Sequence, residues 1–364
     1  MSTRRRRAGV VGAVVGVAAA GVAAGIAAER AVVGRARVAD DGAGGEPYGL
    51  LPADDEFSVI ADDGVPLHVE VVGRRHNDLT VIFVHGFCLD MGTWHFQRRG
   101  LAGLRDPRVR MVFYDQRGHG RSGWGEPDRA TIDQLGRDLE AVIETAAPDG
   151  KLVLCGHSMG GMSIMALAEQ RPEVFADRVV GIALISTSAG DMDTVSFGMP
   201  RLVGALRKPL MPLLASGMRS RARLLERARR TGSDVVWLAT RRWAFGTRHA
   251  SSALVDYVEK MNSSTPVATI AAFLSTIDEH RRYDALDAMQ GIETIVIGGE
   301  KDVMTPVDHS RKLAEAIANS QFVEVSGGAH LMLMDHADEV NVELRNFLQR
   351  AAQAMPAKGK RRRA

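Results

Sequence analysis

Ser158 stands in the run Gly156-His157-Ser158-Met159-Gly160-Gly161, between an apolar stretch at 151–154 and a helix-forming one at 163–168. Glycines two residues either side of a serine suit a sharp strand-to-helix turn, because a Cβ at either place collides across it. Such a turn strains the serine backbone and lifts its hydroxyl clear of the sheet at a helix N-terminus, where developing negative charge is stabilised. A hydroxyl is a poor nucleophile until a neutral imidazole takes its proton, and the imidazole needs a carboxylate to fix its tautomer. Downstream, Asp302 follows the apolar run 293–299 and His330 follows the run 321–325. Each lies just past the carboxyl end of an expected strand, the edge of an α/β sheet where sites assemble. The order serine, acid, histidine points to nucleophilic acyl chemistry on Ser158, Asp302 and His330.

The tetrahedral oxyanion of such chemistry needs two backbone N–H groups aimed at one point. Met159, immediately after the serine, supplies one. Phe87, in the loop His85-Gly86-Phe87-Cys88 after the run 80–84, supplies the other, an ordinary strand-end turn being the alternative reading. Asp191, shortly after the run 179–185, is the rival acid, and Glu300 reads as a neighbour of the acid. Among the eleven histidines, His85, His119 and His157 sit in turns and are expected to orient loops by hydrogen bonding. His309 and His336 are expected to be solvated or to cap helices.

Together with the block Asp115-Gln116-Arg117-Gly118-His119-Gly120-Arg121-Ser122, these segments resemble the α/β-hydrolase-fold serine hydrolases over roughly residues 56–352. The resemblance implies an α/β architecture: a mostly parallel eight-stranded sheet flanked by helices, with a helical lid inserted between strands six and seven. It also implies that Arg117, His119 and Arg121 are structural. Relatives that use aspartate as nucleophile, the epoxide hydrolases and haloalkane dehalogenases, are excluded by Ser158. The tryptophan-bearing elbow of proline-cleaving peptidases is absent. An esterase or lipase acting on carboxylic, lipid-like esters is therefore the leading expectation. Non-metal haloperoxidase-like, carbon–carbon hydrolase or acyltransferase chemistry on the same triad are alternatives, as is a catalytically silent binding or scaffold protein. No cofactor and no metal are expected; no cluster with zinc-ligand spacing is visible in the sequence.

The elements that must position these residues are legible as patterns. Residues 57–60 and 67–72 read as a hairpin about Asp62-Asp63-Gly64, 109–114 as a further strand, and 132–146 as a helix capped by Thr131 or Asp133. The chain divides into a basic cluster and apolar segment (1–30), a linker (31–55), a core (56–187 and 288–352), a lid (188–287) and a basic tail (353–364). In the lid, Met192, Met199, Met211, Met218 and Met261 suggest an adaptable acyl pocket, with ordinary core packing as the alternative. Cys88 and Cys155 are the only cysteines and read as two unpaired thiols in core loops.

Charge is asymmetric. Arg4 to Arg7 and five basic residues from Lys358 to Arg363 stand at the ends, leaving a body with more acidic than basic groups. That distribution argues against a nucleic-acid-binding body and for ends that meet anionic lipid or envelope polymers. Residues 8–28 hold no charged side chain, and as a helix they just cross a hydrocarbon core of about 30 Å. With the preceding arginines this predicts a single-pass anchor holding the enzyme on the far side of the membrane, secretion after signal cleavage being the rival.

Overall fold

In the computed structural model, which describes residues 45–75, 77, 79–195, 216–218, 221, 225, 233–246 and 250–354, the apolar runs become the strands of one sheet. They are β1 (Asp55–Ile60), β2 (Pro66–Val72), β3 (Leu79–Val84), β4 (Val109–Tyr114), β5 (Leu152–His157), β6 (Val179–Ile185), β7 (Glu293–Gly299) and β8 (Gln321–Val325). Their spatial order is β1-β2-β4-β3-β5-β6-β7-β8. The hairpin β1–β2 and the β2–β4 pair are antiparallel, and every other pairing is parallel. The architecture is thus the α/β-hydrolase fold, mostly parallel with an antiparallel edge.

Parallel neighbours need long crossovers, and helices supply them. α1 (His95–Leu101) follows β3, α2 (Ile132–Ala146) follows β4, and α3 (Met159–Gln170) and α4 (Pro172–Asp177) follow β5. Between β6 and β7 lie α5 (Ser233–Trp243), α6 (Ser252–Ser264) and α7 (Val267–Asp278), the described part of the insertion read as a lid. α8 (Val307–Ala316) links β7 to β8, and α9 (Met332–Asp335) and α10 (Ala337–Gln353) close the chain. α2 starts where its cap predicts, with the Thr131 hydroxyl accepting the Gln134 N–H.

Period-two alternation divides each strand between two cores. Leu79, Val81 and Phe83 face one, with Trp94, Trp237 and the α10 stripe Val340, Leu344, Phe347, Leu348 and Ala351. Ile82 and Val84 face the other, with Leu139, Val142 and Ile143 of α2 and Ile164 and Leu167 of α3. The central strands are covered on both sides, which is why they read as continuous apolar runs rather than alternating ones.

Cys155 lies within β5 rather than in a loop, because the strand runs on through His157 before turning. Cys88 is in the loop after β3, and neither forms a disulfide. Trp237 packs in the core and donates to Asp256 at 2.7 Å, so its role is packing. The anchor segment 1–30, the basic tail from 355, Met199, Met211 and most of the arginine-rich stretch 221–230 lie outside the described residues. Among the described residues no helix is long and apolar enough to cross a membrane. The described end of the stretch read as linker, 45–55, packs against the body through Glu46 and Tyr48. Glu46 pairs with His95 and Arg99, and the Tyr48 ring stacks on Tyr257 of α6 at 4.9 Å.

The loop after β4 is pinned from within. Arg117, almost wholly buried, gives two hydrogen bonds of 2.6 Å to Asp138 of α2 and a further pair to Asp63 of the β1–β2 turn. Substituting Arg117→Ala leaves the Asp138 carboxylate, fully shielded from solvent, without its counter-charge, and is expected to cost about 3–5 kcal/mol. Urea unfolding measures this, and Asp63→Asn, at the more exposed end of the network, should cost clearly less.

Candidate active site

The backbone at Ser158 is held at φ 52°, ψ −120°, a conformation that L residues rarely adopt. What compels it is the close approach of chain to chain. A Cβ on Gly160 would lie 2.1 Å from the Val84 carbonyl oxygen, and one on Gly156 would lie 2.6 Å from the Gly161 nitrogen. Only glycine lets α3 start this near to β3 and β5. The Ser158 N–H donates to the Ile185 carbonyl at 3.0 Å, and the Thr187 hydroxyl donates to the Ser158 carbonyl at 2.7 Å, so β6 clamps the turn. The Ser158 hydroxyl makes no capping bond to α3.

That hydroxyl is 3.0 Å from Nε2 of His330, and Nδ1 of His330 is 2.9 Å from Oδ2 of Asp302. All three predicted side chains therefore meet, contributed by the loops after β5, β7 and β8. Asp302 is buried, which disfavours its charge. The His330 pair and the donors of Thr305 outweigh burial and hold the carboxyl below its ordinary 3.8. Its four acceptor directions are filled: Oδ1 takes the N–H groups of Met304 and Thr305, and Oδ2 takes the Thr305 hydroxyl and His330. Imidazole and carboxylate so fixed can accept the serine proton and stabilise the resulting cation.

The loop bearing Phe87 runs directly beside the serine. A Cβ on Gly86 would sit 3.2 Å from Ser158 Cβ and 2.8 Å from His157 Nδ1. The Met159 N–H begins α3, where the first amides have no partner within the helix. The loop is held by histidines, as expected from their places in turns. His85 Nδ1 meets the Gly86 carbonyl at 2.8 Å while its Nε2 receives the Gln116 N–H at 2.9 Å, and His119 Nε2 receives the Cys88 N–H at 3.2 Å. Burial, then the neighbouring ring charges, presses His85 and His157 toward neutrality, His157 to about 3; burial alone takes His119 to about 4. His157 Nε2 contacts the His330 carbonyl at 2.9 Å and so steadies the backbone beneath the ring.

The rival acid is elsewhere. Asp191 is engaged by Arg281, Tyr283 and Lys312, with no contact to His330. Glu300, beside the acid as read, accepts from the Gly327 N–H and the Ser326 hydroxyl and so braces the His330 loop. His309 departs from expectation: it is buried, and its Nδ1 meets the Ser188 hydroxyl at 2.7 Å, because α8 packs its first turn against the loop after β6. His336 takes the N-cap position of α10, but its side chain contacts the neighbouring Asp335 and makes no capping bond. Among the described residues the lid touches the site at several places. Ala244, after α5, accepts the Leu331 N–H at 2.8 Å, and Phe273 of α7 lies edge-on to Phe87 at 6.3 Å. Around Met159 and Phe87, Met162, Met192, Val195 and Phe273 form an apolar cluster.

Thr305 escaped the sequence reading. The spacing Asp302-x-x-Thr305-Pro306 is the signal that marks it, since an aspartate readily accepts from the amides and hydroxyl two and three residues on.

Comparison with known proteins bears on the family and the fold. The sequence model described as alpha/beta hydrolase fold matches residues 80–337, and the chain belongs to that family of hydrolases. It is similar to a hydrolase of Escherichia coli K12 acting on 2-hydroxy-6-oxononadienedioate and 2-hydroxy-6-oxononatrienedioate, with 23% identity over 306 residues, 82% of this chain and 96% of that one. It also matches the dihydrolipoyllysine-residue acetyltransferase component of the acetoin cleaving system of Pseudomonas putida at 23% identity, covering 74% of this chain but only 63% of that protein. Among solved structures, a thermophilic esterase from Thermogutta terrifontis superposes with a TM-score of 0.63 at 26% identity, covering 82% of this chain and 99% of the other.

Replacing Thr305 by Val removes a hydrogen bond to an ionised group, an interaction of about 1.5–3 kcal/mol. Turnover on a small ester should then fall at least about tenfold, with the thermal midpoint lowered by about a few degrees. Thr305→Ser should recover most of it; equal loss in both variants would assign the residue to packing.

Proposed function

We propose that the protein is a serine hydrolase of carboxylic esters with apolar acyl groups, working through an acyl-enzyme on Ser158. The observation that carries this reading is the chain of contacts Ser158–His330–Asp302 at a strained turn, with separations of 3.0 and 2.9 Å. His330 Nε2 takes the hydroxyl proton as Oγ attacks the ester carbonyl. The oxyanion is received by the N–H groups of Phe87 and Met159. His330 then gives its proton to the departing alcohol, and in the second half-reaction it takes one from water, which attacks the acyl-enzyme and frees the acid. Ionised Asp302 holds the imidazole tautomer throughout.

The apolar cluster of Met162, Met192, Val195 and Phe273 beside the oxyanion residues supports an apolar acyl group. Similarity to the Thermogutta esterase supports ester chemistry. The uncharged segment 8–28 supports a membrane tether that keeps the enzyme beside lipid or envelope esters. Recovery of the native protein in the soluble fraction of gently lysed cells, at its full length, would sink the tether.

The test of the activity is hydrolysis of p-nitrophenyl esters from acetate to palmitate by the full chain, its Ser158→Ala variant and its Asp302→Asn variant. Removing the nucleophile should lower kcat by about 10⁴ or more, and the asparagine, which imposes the wrong imidazole tautomer, by about 10⁴. A folded wild-type protein inert toward every chain length would shift the reading to carbon–carbon cleavage or peroxidase-like chemistry on the same three residues.

A further inference from the structure

The polar face of the β1–β2 hairpin carries a second group of reactive side chains, separated from β5 by β4 and β3. Glu56 and Glu70 are direct cross-strand partners, and His68 stands two residues before Glu70 on the same face. The opposite face of the hairpin, Leu67, Val69 and Val71, is sealed into the core, so the register of these three groups is fixed.

One nitrogen, one oxygen from each carboxylate, and a mutual separation of no more than 4.8 Å define the cluster. His68 Nε2 is 3.6 Å from Glu70 Oε1 and 3.8 Å from Glu56 Oε1, too far for a hydrogen bond to either. The histidine is only 8% exposed, and Nε2 is shielded from solvent without a hydrogen-bond partner. Buried imidazole nitrogens ordinarily find a partner. Here the ring points a nitrogen with only long ion-pair contacts at two carboxylate oxygens, an arrangement that a shared cation draws together. Ligands about 2.0–2.1 Å from a tetrahedral ion lie about 3.4 Å apart, so the His68 separations need only a few tenths of an ångström of contraction.

We propose that Glu56, His68 and Glu70 form a site for a divalent transition-metal ion of zinc type, completed by water on its outer side, where Glu56 is exposed. Imidazole with two carboxylates suits such an ion better than magnesium or calcium, which take oxygen ligands. The guanidinium of Arg121 occupies the place of the ion, bonded to Glu56 Oε1 and Glu70 Oε1. Its side chain is 52% exposed and can swing into solvent. Arg98, largely shielded, keeps its bond to the other oxygen, Glu70 Oε2, and limits the charge the ion must neutralise. Metal and Arg121 thus compete for one position. The bound ion would staple the sheet's edge hairpin, remote from the ester chemistry.

The test is zinc chloride titration of the full chain, prepared without a histidine tag, against a chromophoric chelator. Parallel titrations use His68→Gln, Glu56→Gln, Arg121→Gln and Ser158→Ala, each checked for native circular dichroism and metal-free melting. One saturable ion in wild type and Ser158→Ala, weakened at least about tenfold by His68→Gln and by Glu56→Gln, is expected. Arg121→Gln should tighten binding by up to about fivefold, the worth of an exposed ion pair. Because Glu56 is exposed, its variant stays informative if His68→Gln fails to fold. No saturable binding in wild type, or affinity unchanged in Glu56→Gln or in a folded His68→Gln, overturns the site.

Discussion

Backbone crowding between the start of α3 and the ends of β3 and β5 governs the arrangement around Ser158. With 2.1 Å available to a Cβ at Gly160 and 2.6 Å at Gly156, the helix can seat itself on the sheet only through glycine, and Ser158 absorbs the strain in a positive φ. Seated so, the serine projects from the carboxyl edge instead of lying in the sheet, beside the start of α3. The Gly86 loop can approach the elbow only because Gly86 carries no Cβ. Relaxing that contact would withdraw hydroxyl, amide and loop together, which is why the strain is worth carrying.

Among the described residues, four imidazoles stand around this point, and one of them contacts an acid. His85, His119 and His157 are buried and held neutral, so they serve as directional hydrogen-bonding groups that position loops. His330 faces the fully satisfied carboxylate of Asp302. Burial disfavours charge on both kinds of group, and what differs is the compensation. The three spectator rings stay neutral, whereas at Asp302 donors from Thr305 and the His330 pair overcome burial.

The lid and the segment before β1 are joined more closely than their separation in sequence indicates. Tyr48 stacks on Tyr257 of α6 and packs near His95 and Phe96 of α1. Asp256, beside Tyr257, receives the Trp237 N–H of α5, and the residue ending that region, Ala244, bonds Leu331 next to His330. These are contiguous contacts from the chain's entry into the body to the histidine loop.

Local pattern determined a large part of this protein. The glycine spacing about Ser158, the runs that became β3 to β8, the cap at Thr131 and the hairpin about Asp62-Asp63-Gly64 are short-range signals, since steric exclusion and strand or helix periodicity act over a few residues. The order of Ser158, Asp302 and His330 at strand ends named the site because a sheet edge is where such loops must converge. Tertiary structure decided what depends on residues distant in sequence. His309 is buried by the packing of α8, and Arg117 is paired by α2 and the first hairpin together. The Glu56–His68–Glu70 cluster arises from strand register. No linear spacing encodes those meetings, because burial and charge pairing are set by which surfaces the folded chain brings together.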